Sequence, residues 1–327
     1  MTDIDFAQLQ ADLIAGDLGV LERERKAYVK RFWTGFVVCF GLIAVDLALW
    51  LTIGSNNPVP FAVAGGLVLL TGLIIMVYKH QKFYKNFKAR FKGKVIPAVV
   101  KFVDERLAYE PHRGLMREYE ESRIFNQRID RYRAEDTISG KFELTDFAFG
   151  EIHTEYKTVS TDSKGNRQEH WHTIFKGMFF VSDFHKNFQG ETMIDVDTME
   201  RYLGKLGRKL QQWNPSRPGN LVKLENPEFE KKFAVYSTDE QECRYILTPS
   251  MMERLLEMTR RLDFKVAISF RNNQVYIAVF NHMDLFEPAI FGSLLKEEDY
   301  RMLINTMKLM TGIIEDLNLN TRIWTKE

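Results

Sequence analysis

Cysteine is scarce in this chain: 327 residues carry two, Cys39 inside a long apolar run and Cys243 in the polar remainder. A pair in such different surroundings makes no disulfide framework, which excludes the small secreted scaffolds and suits a reducing compartment. Net charge is also nearly absent, with 45 basic against 44 acidic side chains. No overall field recruits nucleic acid, and none is expected as a partner. Missing too are the phosphate-binding Walker loop, the dinucleotide glycine fingerprint, the Gly-x-Ser-x-Gly elbow and the kinase signature set. No cofactor is expected.

The most telling absence is local. The 47 residues Phe32 to Tyr78 hold one formally charged side chain, Asp46. Trp33 to Ile53 and Pro58 to Tyr78 each contain eleven Val, Ile, Leu or Phe residues. Each stretch reaches the ~20 residues a membrane helix needs, and the residues from Gly54 to Pro58 read as the turn between two spans. Basic side chains flank both outer ends: Arg23, Arg25, Lys26, Lys30 and Arg31 before, and Lys79, Lys82, Lys85, Lys88, Arg90, Lys92 and Lys94 after. The positive-inside rule then places both termini in the cytoplasm of a multi-pass protein. A cleaved signal peptide is not expected, because the apolar run starts behind an acidic leader containing Asp3, Asp5, Asp12 and Asp17.

Asp46 is the intramembrane polar group, and such residues mark ion or proton routes or packing contacts. Two helices offering only Thr34, Thr52 and Thr71 besides it favour packing. Ala44 with Ala48, and Ala62 with Gly66, supply small residues four apart for close helix approach, within the hairpin or in a homo-oligomer. From Lys79 to Lys94, seven basic residues interleave with Phe83, Tyr84, Phe87 and Phe91. This reads as an amphipathic collar whose Lys79, Lys82, Lys85, Lys88, Arg90, Lys92 and Lys94 contact lipid headgroups.

The polar remainder predicts an α+β fold: a two-span helical hairpin followed by a cytoplasmic, mainly antiparallel sheet domain with packed helices. Residues 1–31 form an N-terminal helix, 32–78 the hairpin, 79–132 juxtamembrane and connecting helices, and 133–327 the α+β domain, as one body or as two halves divided near 214–220. Helices are expected over Val95 to Tyr109, Arg117 to Arg131, Thr198 to Trp213, from Thr248-Pro249 onward, and Glu297 to Leu317. Strands are expected over Ile138 to Leu144, Phe147 to Val159, Trp171 to Val181, Thr192 to Val196, Leu221 to Leu224, Phe233 to Tyr236, Tyr245 to Leu247, Phe264 to Phe270 and Val275 to Phe280.

Two chemical constellations merit weighing. Glu151, His153 and Glu155 share a strand face, and His170 with His172 share one on the partner strand. Convergence of His153, His170 and His172 would offer zinc ligands, whereas a solvated polar face explains the same pattern without metal, and no metal is expected. Cys243 with His185 or His282 would be a thiol and its base, but no local motif positions them.

Phe175-Lys176-Gly177-Met178-Phe179-Phe180 followed by Asp183-Phe184-His185-Lys186, then Leu224-Glu225-Asn226-Pro227-Glu228-Phe229, Tyr245-Ile246-Leu247-Thr248-Pro249 and Phe286-Glu287-Pro288, are more distinctive. Together they resemble an uncharacterised bacterial membrane-protein family, domain of unknown function number three-one-three-seven. The resemblance implies a bacterial inner-membrane protein and, as partner, another membrane or envelope protein of the LemA-like kind. It implies no catalytic residues. Where the family pattern has Glu-Ala-Arg-Tyr this chain has Glu242-Cys243-Arg244-Tyr245, which argues against a catalytic Cys243. The expected function is a membrane-anchored cytoplasmic protein-binding or scaffold module in contact with the lipid bilayer. A membrane-associated enzyme acting on lipid or peptide is the alternative, and a small oligomeric channel or transporter the third.

Overall fold

The computed structural model describes residues 3–53, 59–161, 165–196, 217–262, 264–281, 284–317 and 319. They form two compact units, one of Met1–Phe102 with Phe286–Arg301, the other of Val103–Leu285 with Met302–Glu327.

The first unit is helical. Helix α1 (Asp3–Ala15) ends at Gly16, and α2 (Asp17–Ile53) and α3 (Val59–Val103) follow. Leu18, Leu21 and Arg25 are buried and Tyr28, Phe32, Cys39, Ile43 and Asp46 half-buried along α2. Steps of three and four residues, or their sum, are the seam of a coiled coil. The matching line on α3 runs Gly65, Gly72, Met76, His80, Phe83 and Phe87. Pairing is antiparallel throughout. Asp46 lies against Gly65, Cys39 against Gly72, Tyr28 stacks on Phe83 at 3.8 Å, and Lys94 pairs with Asp17 at 2.6 Å. The facing small residues are thus Gly65 and Gly72, seven apart. Gly66, expected with Ala62 to allow close approach within the hairpin or in a homo-oligomer, has open space where a Cβ would project and is not part of this seam.

By length and composition, one helix among the described residues is apolar enough to cross a membrane, Asp17–Leu49, with none of its apolar window buried. Where two membrane-length apolar helices are expected, one is found among the described residues. Along α3 the side chains of Val63, Leu67, Leu70, Leu73, Ile74 and Val77 are nonetheless exposed.

The second unit is built on one nine-stranded sheet in the order β1-β2-β3-β4-β9-β8-β5-β7-β6, with every neighbouring pair antiparallel. The strands are β1 (Ala108–Glu110), β2 (Arg131–Phe142), β3 (Thr145–Thr161), β4 (Arg167–Asp183), β5 (Thr192–Val196), β6 (Asn220–Val222), β7 (Phe233–Ser237), β8 (Val266–Arg271) and β9 (Gln274–Phe280). The helices are α4 (Met116–Glu121), α5 (Pro227–Lys232), α6 (Glu240–Ile246), α7 (Pro249–Leu262) and α8 (Glu297–Asp316). The fold is α+β, and the two β-rich stretches of the sequence join in a single sheet.

Three expectations fail for local reasons. The helix predicted to reach Tyr109 stops at Val103, and Ala108–Glu110 pairs with β2 instead. The one predicted from Arg117 to Arg131 ends at Glu121, where Ser122 Oγ donates to Tyr119 O at 2.7 Å and Arg123 takes a φ of 50°. Tyr245 to Leu247 is the end of helix α6 rather than a strand, because Asp239 caps it, accepting from Gln241 N and Glu242 N; such a cap is worth about 1 kcal/mol. The predicted helix over Thr198 to Trp213 lies outside the described residues.

Other motifs act as expected. Asn226 Oδ1 accepts from Glu228 N and Phe229 N, starting α5 with Pro227 in its first turn, and Phe229 is fully buried. Thr248 Oγ1 accepts from Met251 N at the head of α7. Asn272 and Asn273 both adopt positive φ, the backbone of a tight hairpin turn between β8 and β9. Gly177 marks the place where β4 leaves β9. A Cβ there would fall 2.0 Å from Val279 O, so only glycine permits the approach.

Central strands are buried on both faces. Phe175, Phe179, Val181, Tyr276 and Ala278 pack with Leu115, Tyr119 and Ile124 on one side. By the period of two, Met178, Phe180, Ile277 and Val279 fill the other. Tyr119 lies 5.2 Å from Phe125 and 5.5 Å from Phe179, ring to ring, and each such pair adds about 1 kcal/mol to area burial.

Candidate functional site

Beyond Glu155 the sheet narrows to two strands. β2 stops pairing with β3 at Arg131↔Glu155, and β9 stops pairing with β4 at Gly177↔Phe280. Six further pairs, from Tyr156↔His172 to Thr161↔Arg167, continue alone. At about 3.3 Å per residue this arm is ~20 Å long. Isolated two-stranded ribbons are marginal in water, so the arm needs its own side-chain contacts.

It has them on both faces. On one, Tyr156 stacks on His172 with centroids 4.9 Å apart, the Thr158 hydroxyl is hydrogen-bonded to His172 Nε2 at 2.9 Å, and Ser160 to His170 Nε2 at 3.2 Å. On the other, the Arg131 guanidinium sits 3.8 Å above the Trp171 ring and Lys157 pairs with Glu169 at 2.9 Å. Trp171 and Val159 remain exposed, the latter at 44%.

His170 and His172 thus share a face, as the alternation predicts, but His153 stands apart from them. It pairs across the ladder with Lys176, beyond the bulge at Thr154/Glu155. Burial lowers its pKa, so the neutral imidazole is favoured. Its face-mates have separate duties: Glu151 accepts from Leu285 N at 2.9 Å, and Glu155 pairs with Arg131 at 3.2 Å. The three histidines do not converge as a metal site would require.

Cys243 is fully buried. Burial pushes its thiol up to about 11, while a hydrogen bond with Thr192 opposes the shift. A protonated, enclosed thiol is no nucleophile. His282 lies outside the described residues, and the His185 ring lies tilted against that of Phe184, centroids 4.9 Å apart.

The helical unit holds the basic collar. Lys92 is buried and its ammonium pairs with Glu287 at 3.1 Å, as does that of Lys88. Arg90 engages Glu24 through both guanidinium nitrogens, at 2.6 and 3.0 Å, and Lys94 takes Asp17. Four of the seven expected headgroup contacts are therefore committed to carboxylates of this chain, and the buried Lys92 is removed from the lipid-facing set. Lys79, Lys82 and Lys85 carry no ion pair among the described residues. Lys79 and Lys82 border a groove of about 340 Å3 with Phe83, Asn86 and Arg90.

Sequence reasoning missed the clasp beside this collar. Glu22 is 4% exposed and takes both Nε and a terminal nitrogen of Arg25 at 2.8 Å. It also accepts from Leu294 N at 3.1 Å, while Arg25 donates to Ile290 O at 3.0 Å. Burial alone would raise the Glu22 pKa, yet these bonds hold it below the usual carboxylate range. The i, i+3 spacing was visible in the sequence. Its buried partner, 272 residues away, was not.

No curated protein and no solved structure matches the chain. Residues 173–319, from within β4 to just past α8, match the family described as protein of unknown function (DUF3137).

Proposed function

We propose that the chain is a membrane-anchored cytoplasmic scaffold of a bacterial inner membrane, whose β3–β4 arm binds another membrane or envelope protein. A LemA-like protein is the first candidate. In this reading α2 and α3 both cross the bilayer as an antiparallel hairpin, leaving both termini in the cytoplasm. The matched seam of the two helices and the exposed apolar side chains of each, among them Val37 at 67% and Leu73 at 57%, support that arrangement. Lys79, Lys82 and Lys85 then face lipid headgroups.

The observation that carries the protein-binding role is the arm itself. Six strand pairs are held by their own ring, hydroxyl and ion contacts with both faces open, which suits recognition by strand or side-chain contact. Neither the enzyme nor the channel reading gains comparable support, since His153 stands apart from His170 and His172 and Asp46 faces a glycine. A photo-crosslinking residue at Val159, activated in intact cells, is expected to yield a reproducible adduct with another membrane protein. Adducts with this chain alone would make the arm a homo-oligomer contact, and no adduct from a stably expressed variant would sink the proposal.

A further inference from the structure

Phe291 is 58% exposed, although its neighbours Ile290 and Leu294 are buried and the backbone on either side is clamped, Ile290 O by Arg25 and Leu294 N by Glu22. The ring is therefore displayed by a fixed loop. It packs edge-on against Phe32 at 5.4 Å and stacks on His80 at 5.8 Å. His80 in turn is hydrogen-bonded to the Tyr28 hydroxyl at 2.8 Å and stacks on Tyr84, and Trp33 beside Phe32 is 54% exposed. These aromatics come from three separate stretches of chain and meet at one level. That level is where the apolar runs of α2 and α3 begin and end, next to Lys30, Arg31, Lys79 and Lys82.

Aromatic rings gathered at the end of an apolar belt and bordered by cations are the pattern of a membrane–water interface. We infer that Phe291 inserts into the headgroup boundary of the bilayer and that the Phe286–Arg301 segment is a third, non-spanning membrane contact. The occupant of this patch is lipid, because the patch is continuous with the exposed apolar surface of α2 and α3. The inference rests on the membrane reading above.

The test uses the full chain in vesicles of phosphatidylethanolamine and anionic phosphatidylglycerol. In a background lacking both native cysteines, Phe291→Cys, Val37→Cys and Phe264→Cys each carry a polarity-sensitive fluorophore, and lipids bearing a doxyl quencher near the headgroup or deep in the acyl chain are compared. The expected result is quenching at 291 by the shallow quencher more than the deep one, strong quenching at 37, and none at 264. Quenching at 37 with position 291 behaving like 264 overturns the inference and leaves the membrane reading standing. Absence of quenching at 37 removes the membrane reading, and the inference with it. A probe at 291 that is protected from both quenchers and from aqueous iodide overturns the lipid assignment and gives the patch to a second copy of this chain.

Discussion

The carboxylate of Asp46 lies against Gly65 on the facing helix, so closely that a methyl group there would sit 2.6 Å from Oδ2. The one charged residue of the apolar stretch is thus accommodated by the absence of a side chain opposite. Gly65→Ala should be tolerated, since the free end of Asp46 can swing aside, whereas Gly65→Leu should cost roughly 1–3 kcal/mol by forcing the helices apart. Adding Asp46→Ala should relieve Gly65→Leu in part; thermal melts of the four proteins in detergent check this, and simple additivity would refute the contact.

A built Cβ on Gly72 falls 2.9 Å from Cys39 Sγ. The variant Gly72→Cys should therefore form an intrachain disulfide under mild oxidation, as the geometry of such bonds requires neighbouring Cβ atoms about 3.5–4.5 Å apart. Counting free thiols by maleimide mass-tagging reads the outcome. Full labelling of both cysteines after oxidation would mean that the antiparallel seam is wrong.

Removing the Glu22 carboxylate leaves Arg25 buried without its acid. Glu22→Ala should destabilise the helical unit by about 3–5 kcal/mol and open the Phe286–Arg301 segment to hydrogen exchange. A glutamate whose folded pKa is depressed contributes stability that is present above its unfolded value, about 4.3, and is lost as pH falls below it. Wild-type protection of this segment should fall on acidification, while the variant should show little further loss. Equal protection in both proteins at neutral pH would exclude the clasp.

His153 carries the opposite charge logic with the same pH direction. Its depressed pKa means that the unfolded chain binds the proton more readily, so stability should decline as pH drops below about 6.5. His153→Gln should flatten that part of the pH profile of the melting temperature. An unchanged slope would assign it to other groups.

Cys243 should resist aromatic disulfide reagents in the folded protein and react only on denaturation, as expected for a thiol pushed up to about 11 and fully enclosed. Cys243→Ala should cost roughly 1 kcal/mol, the loss of one small buried group. Rapid modification of the native protein would contradict the burial.

The sheet was largely legible because its strands are rich in Phe, Val and Ile and bounded by turn residues; Thr192 to Val196 is read from sequence with the bounds found in β5. What escaped were segments decided by a strand partner or by a cap outside the segment itself. Ala108 to Glu110 carries too little pattern in three residues to announce a strand, and β2 alone makes it one. Tyr245 to Leu247 has strand-like composition, yet Asp239, six residues earlier, had already started a helix. At the collar, a run of like charge suggested lipid, while the acids that neutralise Arg90, Lys88 and Lys92 lie elsewhere along the chain. The arm's histidines were placed on one face by alternation alone, but the bulge that separates His153 from them has no sequence signature.

The seam between α2 and α3 also restricts how such a chain can change in evolution. Its contacts repeat in steps of three and four, so an insertion of seven residues adds about two turns and returns the same face to the partner. An insertion of two or five residues instead turns that face toward the opposite side. Because the helices run in opposite directions, the insertion must be made in both, at matching heights. The helix pair can therefore lengthen or shorten in matched heptads, each adding or removing about 10 Å of seam.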